Sequence, residues 1–230
     1  MARRATVFKK QEEAKGQGAL LKVAGFYEML RPGQDSASAK DLATLQKVFR
    51  TLDYDLAVAR SSTAKQLRAA DLELPSGWMS LEQEIHSRVF SIGKAKVGFM
   101  VFPPLQEEDP DFSSIASLSR KMGSGLSLLV GVSPWGASLE KEFLQSRPDA
   151  VDILLGSGSG PSFKEKYPAS GKTLWIRPYP QGKAVQRIHL PSLGREALQE
   201  SRKPGENCFV QLIALDGNIP KNPSIKELMQ

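Results

Sequence analysis

The run Val151-Asp152-Ile153-Leu154-Leu155-Gly156-Ser157-Gly158-Ser159-Gly160 constrains this chain more than any other. Five residues, four of them apolar, without alternation read as a strand buried on both faces, the signature of a parallel sheet. The strand runs straight into a loop of Gly and Ser only. Loops at the ends of parallel strands are where α/β proteins place their sites.

A parallel strand needs partners and crossovers, and the sequence supplies both. Tyr54–Ala59 and Leu126–Ser133 are further apolar strands, and Phe209–Leu215 is a last one. Leu139–Gln145 and a stretch ending near Met122 read as helices between strands. Ser36 or Ser38 could cap a helix through Leu42, Leu45, Val48, Phe49 and Leu52. Residues 7–30 read as one N-terminal helix, with Ala19, Leu20, Val23, Phe26, Tyr27 and Leu30 near one face, ended by Arg31-Pro32-Gly33. The acidic run Glu107-Glu108-Asp109-Pro110-Asp111 opens the next helix, where negative charge is favourable.

Ile85, Ser87, Val89 and Ser91 alternate, and a Gly93-Lys94-Ala95 turn returns through Lys96–Phe102 as a β-hairpin. Residues 63–80 read as irregular or weakly helical, with Trp78 as a loop anchor. Thr173–Arg177 and Lys183–Leu190 read as an antiparallel pair around Pro178-Tyr179-Pro180-Gln181-Gly182, and 194–206 as polar loop. Ser224–Gln230 is a short final helix. No repeat, linker or low-complexity tract divides the 230 residues, which are expected to form a single domain.

Composition narrows the function classes. With 40% hydrophobic and 24% charged residues the chain has the make-up of an ordinary globule. No apolar run approaches the roughly 20 residues that span a bilayer. The basic start, Met1–Lys10, lacks the apolar stretch of a signal peptide. That implies a cytoplasmic protein, or one whose leader has been removed. Cys208 is the one cysteine, which excludes an intrachain disulfide, and its apolar neighbours imply a buried thiol. The net charge of +6 and pI of about 9.4 permit anionic partners. The basic residues are scattered, however, and no zinc-finger, RNA-binding or aromatic-interleaved motif accompanies them.

Five stretches carry a resemblance. Val89–Val101 resembles a hairpin leading into a K-[IV]-G-[IV]-[IV]-G strand. Leu126–Gly136 resembles a strand and loop ending in L-S-H-x-G. Pro148–Ser159 resembles [IV]-D-[LV]-I-[LI]-G-G-H-[ST]-H. Leu174–Leu190 resembles two closing strands around a G-x-x-[LV]-G turn, and Ile219-Pro220-Lys221-Asn222-Pro223 resembles [IL]-P-x-[DN]-P. In this order they are similar to the catalytic domain of the 5′-nucleotidase branch of the calcineurin-like metallophosphoesterases. The resemblance covers about 140 residues; the first 35 match least. It implies an α/β fold, a metallophosphoesterase-like sandwich of mixed β-sheets flanked by helices, and, for the family, an exported, metal-dependent phosphoesterase.

The family's ligands are missing at the matching positions. Such hydrolysis takes two metal ions held by His, Asp and Asn side chains. Here the Ser-His position is Ser133-Pro134 and the Gly-His-x-His position is Ser157-Gly158-Ser159-Gly160. The Y-D-[AV]-x-x-x-G-N-H motif fits in either of two registers. One is Tyr54–Ser62, with Ser61 and Ser62 at the Asn and His. The other is Asp35–Leu42, with Ala39-Lys40-Asp41-Leu42 in the slot. The first strand has no visible counterpart, and Ala5-Thr6 would be the remnant of the Gly-Asp pair. The chain has two histidines, His86 and His189, neither at a ligand position. Asp35, Asp41, Asp55 and Asp152 remain, but Ser and Gly cannot replace imidazole toward a transition metal. The reading is therefore a pseudoenzyme with no catalytic residues, no metal and no cofactor.

What remains is binding. Gly156, Ser157, Gly158, Ser159 and Gly160 could cradle a phosphate through backbone N–H groups, with Ser133 and Trp135 beside them and Lys164 and Lys166 adding charge. No Gly-Lys-Ser/Thr follows, so this is not a P-loop, and a flexible loop left by ligand loss is the plainer reading. Trp135 and Trp175 could stack on a base, but packed aromatics are the plainer reading here too. Ser133 or Ser157 with His86 or His189 lacks the elbow motif of a serine nucleophile. The leading expectation is a non-catalytic binding or scaffold module with a protein partner. One alternative is a nucleotide or phosphate-ester binder using residues 156–160; another is a divergent phosphoesterase with replaced ligands.

Overall fold

The computed structural model describes residues 1–16, 18–30, 37–81, 83–105, 110–168, 172–179, 182–193 and 207–230. The chain divides into two compact units, one formed by Met1–Leu81 with Ala214–Gln230, the other by Glu82–Ile213.

The first unit begins with helix α1 (Ala2–Ala14). The expected helix over 7–30 is corrected. α1 stops at Ala14, Gly16 turns with φ +58°, and Val23–Ala24 form a short strand β1. β1 is the first strand of this unit, and Ala5 and Thr6 lie within α1. Helix α2 (Ala39–Leu52) is capped by Ser38, whose Oγ accepts from Asp41 N at 3.1 Å. The other proposed cap, Ser36, lies outside the described residues, as does Arg31-Pro32-Gly33.

Strand β2 (Leu56–Ala59) is buried along its whole length and pairs in parallel with β1 and with β3 (Trp78–Ser80). Between β2 and β3 runs helix α3 (Ser61–Ala69), so the weakly helical segment 63–80 is a helix followed by a strand. Trp78 packs edge-on against Phe49, 4.9 Å between ring centres. Phe49, Leu42, Leu52, Tyr54 and Leu67 form the core with Ile225 of the last helix α6 (Pro223–Leu228). The buried Arg4 guanidinium donates to Glu28 and, at 2.8 Å, to Tyr54 Oη. Burial, with Glu28 close by, pushes the Tyr54 phenol well above its ordinary value.

The second unit is built on a six-stranded sheet of order β4-β5-β6-β7-β9-β8. β4 (His86–Ile92) and β5 (Ala95–Val101) are the expected hairpin, turning at Gly93 with φ +58°. β5, β6 (Leu128–Ser133), β7 (Ile153–Gly156) and β9 (Leu174–Arg177) run parallel. β8 (Phe163–Lys166), unforeseen in the sequence, is antiparallel to β9. The expected pairing of 173–177 with 183–190 is thus corrected. β9 is flanked by β7 and β8, while β10 (Ala184–His189) joins β11 (Phe209–Ala214) in a two-stranded sheet. Pro180, Gln181 and 194–206 lie outside the described residues.

Helices α4 (Phe112–Gly123) and α5 (Ala137–Ser146) cover one face of the six-stranded sheet. Asp111 caps α4, accepting from Ser113 N and Ser114 N at 3.0 Å; Glu107–Asp109 lie outside the described residues. Ile115 of α4 and Phe143 and Leu144 of α5 pack on Met100, Phe102, Leu129, Leu154 and Trp175. Alternate residues of paired strands point the same way. The face that carries Leu129, Leu154 and Trp175 therefore also carries Ser133, Gly156 and Arg177 at the strand ends. Cys208 is buried, as its apolar neighbours implied.

Candidate functional site

Ser133 and Gly156 are direct partners across β6 and β7, and both strands end there. The register Leu155↔Ile176 brings Arg177 to the same end on β9. All three residues face α5, and the Gly-Ser loop leaves from this point.

The loop is tied to α5 and to Arg177. Two of its carbonyls close the N-terminus of α5: Gly136 N donates to Ser157 O and Ala137 N to Ser159 O, each at 2.9 Å. Helix N-termini need such acceptors, and here the chain supplies them itself. The Arg177 guanidinium takes the same carbonyls from the other side. Nε donates to Pro161 O at 3.0 Å, Nη1 to Ser157 O at 3.0 Å, and Nη2 to Gly158 O at 3.0 Å and Ser159 O at 2.7 Å. Its remaining N–H meets Glu140 Oε2 at 2.5 Å. A guanidinium has five N–H groups, and all are used.

Glu140, wholly buried on α5, completes the arrangement. Oε1 accepts from Ser157 N at 3.0 Å, and Oε2 also accepts from Trp175 Nε1 at 3.0 Å. Burial raises the Glu140 carboxyl above its ordinary value, against the pull of the Arg177 guanidinium and of the Trp175 and Ser157 donors. A buried carboxylate of this kind requires its cation and its hydrogen bonds together.

The small residues are dictated by this packing. A Cβ on Gly156 would lie 2.0 Å from Glu140 Oε2. Gly158 has φ +78°, and a Cβ there would lie 2.5 Å from Pro134 O. Glycine at these positions lets the loop approach the carboxylate and the β6 end.

The remaining expected residues are packed or bonded internally. Ser133 is fully buried and its Oγ accepts from Trp135 N at 3.2 Å; Ser157 Oγ donates to Ser133 O at 2.7 Å. Trp135 is 4% exposed, lies 4.9 Å from the Phe102 ring, and donates Nε1–H to Pro103 O at 2.8 Å. Trp175 is 6% exposed and committed to Glu140. Ser159 and Gly160 are exposed, and Gly160 turns with φ +105°. His86 starts β4, an edge strand, and His189 lies on β10 against Phe209, while the Ser133 and Ser157 hydroxyls bond Trp135 N and Ser133 O.

Among the described residues the aspartates form no metal-holding group. Asp41 accepts from Ser38 Oγ, Asp55 from Lys22 N and Asp152 from Leu129 N, at 2.7 Å each, and Asp35 lies outside the described residues. Among the described residues no three His, Cys, Asp or Glu side chains are grouped to hold a metal ion. The described side chains that meet at these strand ends are Ser133, Arg177 and, from α5, Glu140, none of them an imidazole. The Glu140 carboxylate has both oxygens engaged by protein donors.

Glu140 and Arg177 were not singled out in the sequence. The available signals were a glutamate on the same helical face as Phe143 and Leu144, and an arginine in step with Trp175 on an apolar strand.

Two solved structures share this architecture. The 5′-nucleotidase from Candida albicans SC5314 superposes with a TM-score of 0.67 at 11% identity, covering 98% of this chain and 50% of its own. The NAD nucleotidase NadN of Haemophilus influenzae gives a TM-score of 0.55 at 10% identity, covering 98% and 55%. The chain thus spans about half the length of each. No protein-family model and no curated protein sequence matches it. At this identity the likeness establishes the fold. The chain has the metallophosphoesterase-like α/β fold expected from its sequence, and among the described residues no helix is long and apolar enough to cross a membrane.

Proposed function

We propose that this chain is a non-catalytic protein of metallophosphoesterase-like fold that acts as a binding or scaffold module. The observation that carries the reading is the closure of the strand-end loop on the buried Glu140–Arg177 pair. In the family the sequence resembles, this position bears the histidines that hold metal. Here the loop's carbonyls turn inward to Arg177 and α5, and Ser157 N–H is taken by Glu140. A metal-bound water needs open ligand positions. The guanidinium, which is the cation nearest the loop's backbone, has no N–H left for a ligand.

The test is turnover. The structural likeness suggests AMP and NAD as substrates to try, with bis-p-nitrophenyl phosphate as a generic ester, each with Mg²⁺, Mn²⁺ or Zn²⁺. The reading expects no hydrolysis above the buffer rate. Turnover abolished by a chelator and restored by one metal would overturn it.

A further inference from the structure

A cleft of about 380 Å³ opens between α5 and the β8–β9 edge of the second unit. Its walls include Pro161, Phe163, Pro168 and the edge of Trp175, and two lysines reach into it, Lys141 from α5 and Lys166 from β8. Phe163 and Trp175 meet edge-on at 4.8 Å, so the apolar wall is a packed aromatic pair.

The position of Lys166 is built by an irregularity in the strand. Phe163 pairs with Arg177 and Lys166 with Trp175, so three steps on β8 match two on β9. One extra residue is a β-bulge, and a bulge re-aims the side chain that follows it. In a regular strand, Phe163 and Lys166 would point to opposite faces. With the bulge, Lys166 joins the face of Phe163 and Trp175, and its Nζ sits 4.4 Å from the Phe163 ring centre.

The charges in the cleft are also one-sided. Among the described residues no carboxylate lines it. Lys164 and Lys172, close by in sequence, pair with Glu165 at 2.9 Å and Asp149 at 3.0 Å. Among the described residues Lys141 and Lys166 have no ion-pair partner. The volume falls in the range of small-molecule sites, roughly 300–1,000 Å³, where apolar walls and a few placed polar groups set specificity.

We propose that this cleft binds a small molecule with a flat aromatic body and one anionic group, carboxylate or phosphate, held between Lys141 and Lys166. The cleft borders the Gly-Ser loop through Ala137 and Pro161, and its proposed binding does not depend on that loop being inactive.

The experiment is isothermal titration of the whole chain with 1-naphthoate, 1-naphthyl phosphate and the neutral 1-naphthamide, without added metal. Naphthoate has no ester to hydrolyse, so its binding is read independently of any turnover. At least one of the two anions should bind once per chain, with a dissociation constant on the order of 100 µM. Whichever binds more tightly identifies the head group. Naphthamide should bind about tenfold more weakly, and so should the anion to a Lys141→Ala/Lys166→Ala variant that melts at the same temperature. Failure of both anions to saturate the protein by about 5 mM overturns the proposal. So does equal affinity for naphthamide, or an unchanged affinity in the double variant.

Discussion

The Arg177 guanidinium donates to the Glu140 carboxylate at 2.5 Å while holding the carbonyls of Ser157, Gly158, Ser159 and Pro161. Removing it leaves a buried carboxylate without its cation and takes the Arg177 donor from the Gly158 and Pro161 carbonyls, while Ser157 O and Ser159 O keep their bonds to the start of α5. Arg177→Met is expected to cost about 3–5 kcal/mol, the usual penalty for one half of a buried pair. Glu140→Gln in the same chain should recover part of that loss. Urea unfolding of the two single variants and the double variant measures the coupling; additive losses would mean that the two side chains do not act together.

Gly156 depends on the same carboxylate. Gly156→Ala would set a methyl 2.0 Å from Glu140 Oε2 and displace the pair. A loss of about 2–4 kcal/mol is expected, combining overpacking with a disturbed ion pair. Gly217→Ala is the control, because a Cβ there meets nothing within 4 Å. It should change stability by no more than about 0.5 kcal/mol.

Much of the fold could be read in the sequence, because its strands are apolar runs broken by clear turns. β6 and β7 show as unbroken aliphatic segments, and the β4–β5 hairpin shows by alternation into Gly93. The misreadings have local causes. Residues 7–30 keep a helical spacing of apolar side chains, but β1 takes Val23 and Ala24 into a parallel pair with β2, so tertiary pairing overrides pattern. β8 reads Phe-Lys-Glu-Lys, too charged for a strand, and it is an edge strand with a bulge, where such residues are tolerated. The position of the candidate site was legible as the end of β7. Its chemistry was not, because Glu140 lies 17 residues before Ser157 and Arg177 lies 20 after it. Sequence spacing does not reveal that these three converge.

Acid should weaken the start of α4 in a defined direction. The Asp111 carboxyl lies below its ordinary 3.8 because Ser114 donates to it through hydroxyl and backbone, with help from Ser113 N. A lowered folded-state value means that its contribution is present above 3.8 and fades as pH falls through the folded value. Asp111→Ala should therefore be less stable than the parent at neutral pH, with the two converging in acid. Thermal melts from pH 7 downward check this; a gap that widens in acid would contradict the assignment.

The central claim is that the end of β7 is closed by the protein's own side chains. Amide and guanidinium NMR spectra recorded while Mn²⁺ is added test it most directly. The account predicts a slowly exchanging Arg177 Nε–H, and Ser157 and Arg177 signals that broaden no more than those of exposed sites elsewhere. Selective broadening of Ser133, Ser157 and Arg177 at substoichiometric Mn²⁺ would contradict it, because it would place a metal at the strand ends.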